Sequence, residues 1–486
     1  MPNSPNESTF PGNSRVPSPA ITKSNRRLEY VSLALCGVLA LAFAIVMPPL
    51  QFPHEDAHFI RAYANSRGEY IGRGIPKLPA PIISFVMHYP SDAENDYKYT
   101  AQEIVGDLAA RTVTAPGNTV LSNENHHRWL TWGVIGSNLY CPLVYLPSSL
   151  GIWTARSLYA SPLVMMYAAR IFNVLTFVAA LFVSFRLAPG YRALMTAVAL
   201  MPMTLHQAGG ISADLVTIAF SFVGFSVVLH AREHFVSRRF LILVALVFAM
   251  WGLCKSSVWA LPLLWLIPTS AFKSRRAWLV YIGAASICMV GALLIWSGIT
   301  SADAEAVRAI RLTRDIDISA NVRLVAAHPL AFGWHLVSMV HSQYKFELGE
   351  FVGVFGWSMF SLPKWVRCLY LLLLVFVAAA ESQAKPFLRW ERGVLCLTFL
   401  AGAVFVHALM AVSDTTLCGG TLATWCVDSW KVVQGRYLIP FCLAGLLTLR
   451  QNRANLAQVT LLALVTGVGT LHALASLALI RSVYYL

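Results

Sequence analysis

The segment from Phe52 to Gly68 gathers the side chains best suited to chemistry. It opens Phe52-Pro-His-Glu-Asp-Ala-His-Phe-Ile-Arg-Ala-Tyr63, setting two carboxylates, Glu55 and Asp56, beside His54, His58 and Arg61. A carboxylate lying against apolar wall has its pKa raised, which suits it to take a proton near neutral pH. The same run, His54-Glu55-Asp56-Ala57-His58, spells the helical zinc-protease signature, two imidazoles one turn apart with a glutamate between them. Zinc would need a third ligand from another element, for which Glu124, His126 and His127 are candidates. A plainer role is open too, because acids in the first turn after Pro53 stabilise a helix N-terminus. Two acids with two histidines exceed what capping requires, so chemistry is the stronger reading.

Other ionisable residues fall in or beside long apolar runs, where each is costly and its depth is informative. His206, Asp214, Lys255 and Arg436 sit at the ends of such runs, and Arg170 lies about two turns inside one. Singly, each could snorkel to an interface. Taken together on one side, they outline a polar cavity.

The elements that must position these residues are membrane helices. Of 486 residues, 57% are hydrophobic and 12% charged, with a mean hydropathy of +0.60, a balance that a water-soluble core and surface do not share out. Apolar runs of roughly 18 to 25 residues recur, each long enough to cross a ~30 Å hydrocarbon layer. The expectation is an all-α polytopic bundle of about eleven spans. They lie near 28–50, 162–186, 192–209, 212–231, 239–257, 258–272, 277–298, 366–383, 393–412, 433–449 and 455–480. Residues 1–27 form a disordered cytoplasmic tail and 28–486 the membrane domain. With the N-terminus inside, Arg186 and Arg192, Arg232, Arg238 and Arg239, Lys273 to Arg276, Lys385 to Arg392, and Arg450 and Arg453 all fall inside. The segments 51–161 and 299–364 are then external and too long for plain connectors. Leu330 to Tyr344, with His335 and His341, suits an interfacial helix.

The net charge of +14 is spent on this topology, so nucleic acid is not an expected partner and membrane lipid is. Most cysteines lie in apolar runs; Cys418 and Cys426 share an external loop where an oxidising compartment would let them pair. No internal repeat is visible, which argues against a transporter built from paired halves.

A series of motifs then points to a family. Pro53, Glu55, His58, Phe59, Arg61-Ala62-Tyr63 and Gly68 are followed by Tyr140-Cys-Pro-Leu-Val-Tyr-Leu-Pro147 with Gly151 and Arg156, Arg170 and Asn173, and Met201-Pro202-Met203 through Gln207, Ser212 and Asp214. Lys255, His328-Pro329, Gly356-Trp357, Leu362-Pro363 and Gln434-Gly-Arg-Tyr-Leu-Ile-Pro440 complete it. This order, over about residues 30 to 450, resembles the bacterial membrane-protein family called domain of unknown function 2142, which looks like the GT-C class of glycosyltransferases. The family's usual Asp-Glu pair reads His54-Glu55 here, with Asp56 where a proline is common; His54 beside Glu55 and His58 creates the zinc-like signature.

The resemblance implies a GT-C-like fold in a bacterial cytoplasmic (inner) membrane, with its active face periplasmic or extracellular. It implies a polyprenyl-phosphate-linked sugar donor and a glycan, lipid or protein acceptor. Glu55 or Asp56 would be the base, and His58, Arg61, Arg170, Asp214, Lys255, Arg436 and Tyr437 the substrate-binding set. Arg436 is favoured for the phosphate because a guanidinium binds its oxygens bidentately. Asp214 pairing with an arginine is an equally good structural role. Trp129, Trp132 and Tyr140 would stack on sugar or isoprenoid, or belong to an interfacial aromatic belt. No residues are assigned to a metal, although some GT-C enzymes use a divalent cation. The rivals are a transporter or flippase of a lipid-linked glycan, which needs the cations but no base, a zinc metalloprotease, and a non-catalytic scaffold.

Overall fold

The computed structural model describes residues 23–89, 98–100, 102, 104, 133–313, 315–356, 358–381, 385–414, 433–450 and 456–485. They form an all-α membrane bundle with a single two-stranded hairpin among the described residues. Helix α1 (Lys23–Val46) leads into a segment carrying α2 (Glu55–Ser66), α3 (Ala80–His88) and α4 (Leu146–Ser157). Next come α5 (Pro162–Leu187), α6 (Arg192–Ala199), α7 (Pro202–Gly209), α8 (Ala213–Glu233), α9 (Arg238–Leu253) and α10 (Arg275–Ile299). A second long segment holds α11 (Ser301–Leu312), α12 (Ile318–Ala327), α13 (Pro329–Gly353) and the hairpin β1 (Val354–Phe355) with β2 (Phe360–Ser361). The chain closes with α14 (Lys364–Ala380), α15 (Arg389–Asp414), α16 (Ile439–Thr448) and α17 (Gln458–Tyr484).

Serine starts several of these helices for a local reason. The hydroxyls of Ser161, Ser212, Ser237 and Ser274 accept hydrogen bonds from the backbone N–H groups of Val164, Asp214, Phe240 and Ala277, which would otherwise lack partners at the helix start.

Among the described residues six helices, α1, α5, α8, α10, α15 and α17, are long and apolar enough to cross a membrane. The other expected spans take shorter or broken forms. Residues 192–209 divide into α6 and α7, broken before Pro202; α9 has 16 residues and α14 has 17; 433–449 begins as a 3-10 turn before α16. The expected span 258–272 is not an α-helix: Val258–Leu266 is 3-10, with Pro262 inside it. Tyr281 near the start of α10 donates to the Leu241 carbonyl near the start of α9, 2.9 Å away. Helices α9 and α10 therefore run parallel, and the 3-10 stretch must carry the chain back between them, helped by its longer rise of ~2.0 Å per residue. Such backbone is tolerated at membrane depth where protein surrounds it, and Trp259, Ala260, Leu263 and Leu264 are buried. Residues 330–344 fall within α13, which is not among the six. Its Phe332, Leu336 and Met339 pack with Ala411 and Val433, giving this stretch protein neighbours.

Polar groups collect at the two ends of the bundle. At one end Arg192 pairs with Glu29 at 3.2 Å, Arg232 with Glu391 at 2.7 Å, and Tyr191 donates to Glu233 at 2.7 Å. Of the basic residues expected to share one face, Arg186, Arg192, Arg232, Lys385, Arg392 and Arg450 are tied together by contacts here, while Arg453 lies outside the described residues. At the other end the two long segments are joined: Asp303 Oδ1 accepts from Gly74 N and Asn138 Nδ2, both at 3.1 Å. The isolated bridge Tyr99–Tyr485 ties the first segment to the end of α17.

Gly435 marks the tightest crossing at this end. A Cβ there would lie 2.0 Å from the Glu347 carbonyl oxygen and 2.4 Å from the Phe351 nitrogen, both backbone atoms that cannot swing aside. Gly435→Ala should therefore cost about 1–3 kcal/mol by overpacking. Thermal unfolding of the detergent-solubilised protein checks this, with Gly467→Ala, where nothing lies within 4 Å, as the silent comparison.

Candidate functional site

The base of the site is an ion pair. Arg170, on α5, and Glu55, the first residue of α2, are both wholly buried, and the guanidinium meets the carboxylate through Nε at 2.8 Å and Nη2 at 2.5 Å. Its remaining donors go to main-chain carbonyls: Nη1 to Ala44 at 2.7 Å and Met47 at 2.8 Å, and Nη2 to Pro48 at 2.9 Å. A guanidinium has five N–H donors, and all five are used. Glu55 Oε1 also accepts from the Ile211 N–H at 3.0 Å. Arg170 thus caps the end of α1, anchors the start of α2 and has no donor left for a phosphate. Glu55, the carboxylate of the zinc-like signature, is taken up by the same contact.

A second cluster lies where α8 begins, α9 ends and the turn before α16 starts. Asp214, in the first turn of α8, is paired with the Lys255 ammonium and lies 3.6 Å from Arg436 Nε. Both cations face aromatic rings. Lys255 Nζ is 4.6 Å from the Tyr437 ring centre and 5.6 Å from that of Tyr140, and Arg436 lies 5.3 Å from Tyr437. At the end of α9 two consecutive residues, Lys255 at φ 48° and Ser256 at φ 53°, lie in the left-handed region, as does His54 at φ 59° before α2. Each costs on the order of 1–3 kcal/mol, and such residues collect where function over-determines the backbone.

The face of α2 turns toward this cluster. His58 Nδ1 and the Tyr145 hydroxyl are 2.7 Å apart, with the Tyr140 ring 6.1 Å from His58. Burial, followed by the charges of Arg436 and Lys255, lowers the His54 pKa to about 4. Burial, with His54 and Lys255 next, lowers that of His58 to about 3. Both imidazoles are neutral at pH 7, so Lys255 and Arg436 carry the positive charge. Asp56 is buried, and its Oδ1 accepts from the Ala57 N–H at 2.7 Å.

Beside Arg436 opens a narrow cleft, with Pro53, His206, Glu350, Ser358 and Gln434 among its lining residues. Glu350 accepts from Gly435 N at 2.8 Å and from the Ser358 hydroxyl, holding the Gln434–Arg436 turn against α13.

Of the residues picked out from the sequence, His58, Asp214, Lys255, Arg436 and Tyr437 come together. Arg61 instead donates to the carbonyls of Glu69 and Tyr70, clamping the loop after α2. Trp129, Trp132, Glu124, His126, His127 and the cysteines 418 and 426 lie outside the described residues. Among the described residues no group of three His, Cys, Asp or Glu side chains could hold a metal. Sequence reasoning assigned no role to Tyr145, Glu350, Ser358 or Gln434, although the motifs Tyr140–Pro147 and Gln434-Gly-Arg-Tyr contained the first and the last.

The family model described as "Predicted membrane protein (DUF2142)" matches residues 36–444. The chain belongs to that family of membrane proteins. No curated protein and no solved structure matches it.

Removing one partner of a buried ion pair leaves the other charge uncompensated, at about 3–5 kcal/mol. Arg170→Met should lose that much stability in thermal unfolding, and Arg170→Lys should not rescue it, since three donors replace five. The histidines add a pH dependence of definite sign. Below pH ~6.5 an unfolded chain takes up protons that folded His54 and His58 refuse. Their contribution is complete above pH ~6.5 and declines as pH falls toward 4. A melting temperature that drops between pH 7.5 and 5, with a shallower drop in the His54→Gln/His58→Gln double variant, checks this.

Proposed function

We propose that this protein is a membrane glycosyltransferase that moves a sugar from a polyprenyl-phosphate carrier to a cell-envelope acceptor on the extracytoplasmic face. One observation carries the reading. Arg436, buried, and Lys255, partly buried, converge on one carboxylate, Asp214, so this trio keeps one net positive charge, with Glu350 the next acid to Arg436. A phosphate that enters beside the two cations gains charge-assisted hydrogen bonds from them. The neutral state of His54 and His58 leaves that role to the two cations.

In the reaction, the acceptor hydroxyl oxygen attacks the anomeric carbon while the bond from that carbon to the phosphate oxygen breaks. The phosphate departs with the electron pair, its charge met by Arg436 and Lys255, and a carboxylate takes the hydroxyl proton. Because Glu55 is committed to Arg170, we assign the proton to Asp56 and make Glu55 the residue that positions α2. The extracytoplasmic face follows from the alternation of basic clusters, and the sugar carrier from the resemblance of the motif series to GT-C enzymes.

Membranes bearing the full chain should release free polyprenyl phosphate from a radiolabelled polyprenyl-phosphate sugar drawn from a panel of such donors. Asp56→Asn should lower turnover about 10²–10⁴-fold, the usual worth of general base catalysis, with expression and melting temperature unchanged. Lys255→Ala and Arg436→Ala should lower kcat as well as raise KM, because the charge they meet grows as the phosphate departs. Wild-type turnover by Asp56→Asn would remove Asp56 as the base, while lipid carried across vesicles without sugar release would favour a flippase.

A further inference from the structure

The cleft beside Arg436 contains more unpaired polar atoms than a structural site should tolerate. His206, at the end of α7, is 1% exposed and Arg436 8%, yet His206 Nε2 is buried without a hydrogen-bond partner and Arg436 Nε makes no hydrogen bond beyond its 3.6 Å ion-pair approach to Asp214. Gln434 Oε1, like His206 Nε2, is buried without a partner. All three residues line the one cleft. Buried polar groups are nearly always paired, and leaving one unsatisfied costs about 1–3 kcal/mol, so three in one place ask for a partner.

The chemistry of that partner can be read from the atoms. The Gln207 side-chain N–H lies 3.2 Å from His206 Nδ1. An amide nitrogen only donates, so Nδ1 accepts, and a neutral imidazole bonded this way carries its proton on Nε2. His206 therefore presents an N–H to the cleft, as Arg436 Nε does, while Gln434 presents a carbonyl oxygen. The rings of Phe52, Phe355 and Phe43 lie 4.5, 5.4 and 6.3 Å from His206 and fix its orientation. The site thus offers two donors and one acceptor.

We infer that this cleft receives the phospho-sugar head of the lipid donor, with His206 Nε2–H and Arg436 Nε–H donating to phosphate oxygens and Gln434 Oε1 accepting from a sugar hydroxyl. A free phosphate monoanion or a carboxylate would satisfy the two donors but leave Gln434 and the neighbouring Glu350 carboxylate facing an anion. A hydroxyl-bearing phosphate satisfies all of them. The inference rests on Arg436 as a phosphate contact and adds to it the residues that sense the sugar.

Equilibrium binding to the full chain in lipid nanodiscs tests this, with two probes: a polyprenyl phosphate and its glucosyl derivative. Gln434→Leu should weaken the glucosyl lipid about tenfold and leave the sugar-free lipid unchanged. His206→Leu should weaken both about tenfold, and His206→Gln, which keeps an N–H donor, should restore much of the binding and serves as the control for folding. Equal effects of Gln434→Leu on the two probes, or wild-type binding by His206→Leu, would overturn the inference while leaving the proposed function standing. Binding of both probes that ignores Arg436→Ala would sink the phosphate reading, and this inference with it.

Discussion

The arrangement of this end of the bundle depends on the five hydrogen bonds of Arg170. The last carbonyls of a membrane helix have no partner within their own helix and, at this depth, little water. Arg170 takes that of Ala44 and, just past the end of α1, those of Met47 and Pro48, and its remaining two donors hold Glu55. One side chain on α5 therefore finishes α1 and begins α2, and the Ile211 N–H on Glu55 brings in the link between α7 and α8. The angle at which α2 leaves the bundle, and with it the places of His54, Asp56 and His58, follows from that contact.

The Asp214 trio is positioned from three other directions. Asp214 is fixed by the serine-capped start of α8, Arg436 by a turn that Gly435 lets approach α13, and Lys255 by a left-handed turn at the end of α9. That turn also starts the 3-10 return strand of the bundle. The strained backbone, the irregular crossing and the charged cluster are thus one feature, and relieving the strain would move the ammonium away from the two tyrosines.

The helical bundle was legible in the sequence because hydropathy is additive along a run and basic clusters alternate with it. The 3-10 character of residues 258–266 was not, since an apolar run has the same hydropathy in either helix; Pro262 was the available warning. Glu55 and Asp56 were chemically alike as neighbours, and only the rotation of α2 tells which faces Arg170. Depth alone marked Arg170 as a phosphate candidate, but depth does not reveal that every donor is already in use. Arg61 differs, since only two of its donors are engaged, by the Glu69 and Tyr70 carbonyls. Asp214, Lys255, Arg436 and Tyr437 were legible as a set because each falls where an apolar run starts or stops, so the alternation of helices delivers them to one end. His206 and Gln434 needed the surrounding contacts before their unpaired atoms could be seen.

The joint made by Asp303 bears on how anything reaches this end of the molecule. One carboxylate oxygen holds a main-chain amide of the first long segment and the Asn138 side chain, while Asn138 also donates to the Gly74 carbonyl at 2.8 Å. Trp296, one turn before α11, donates to the Leu139 carbonyl at 2.8 Å. The two segments are therefore latched to each other as well as to the helices beneath. At these contacts the two segments are coupled, so access from that side is set by both together and not by either alone.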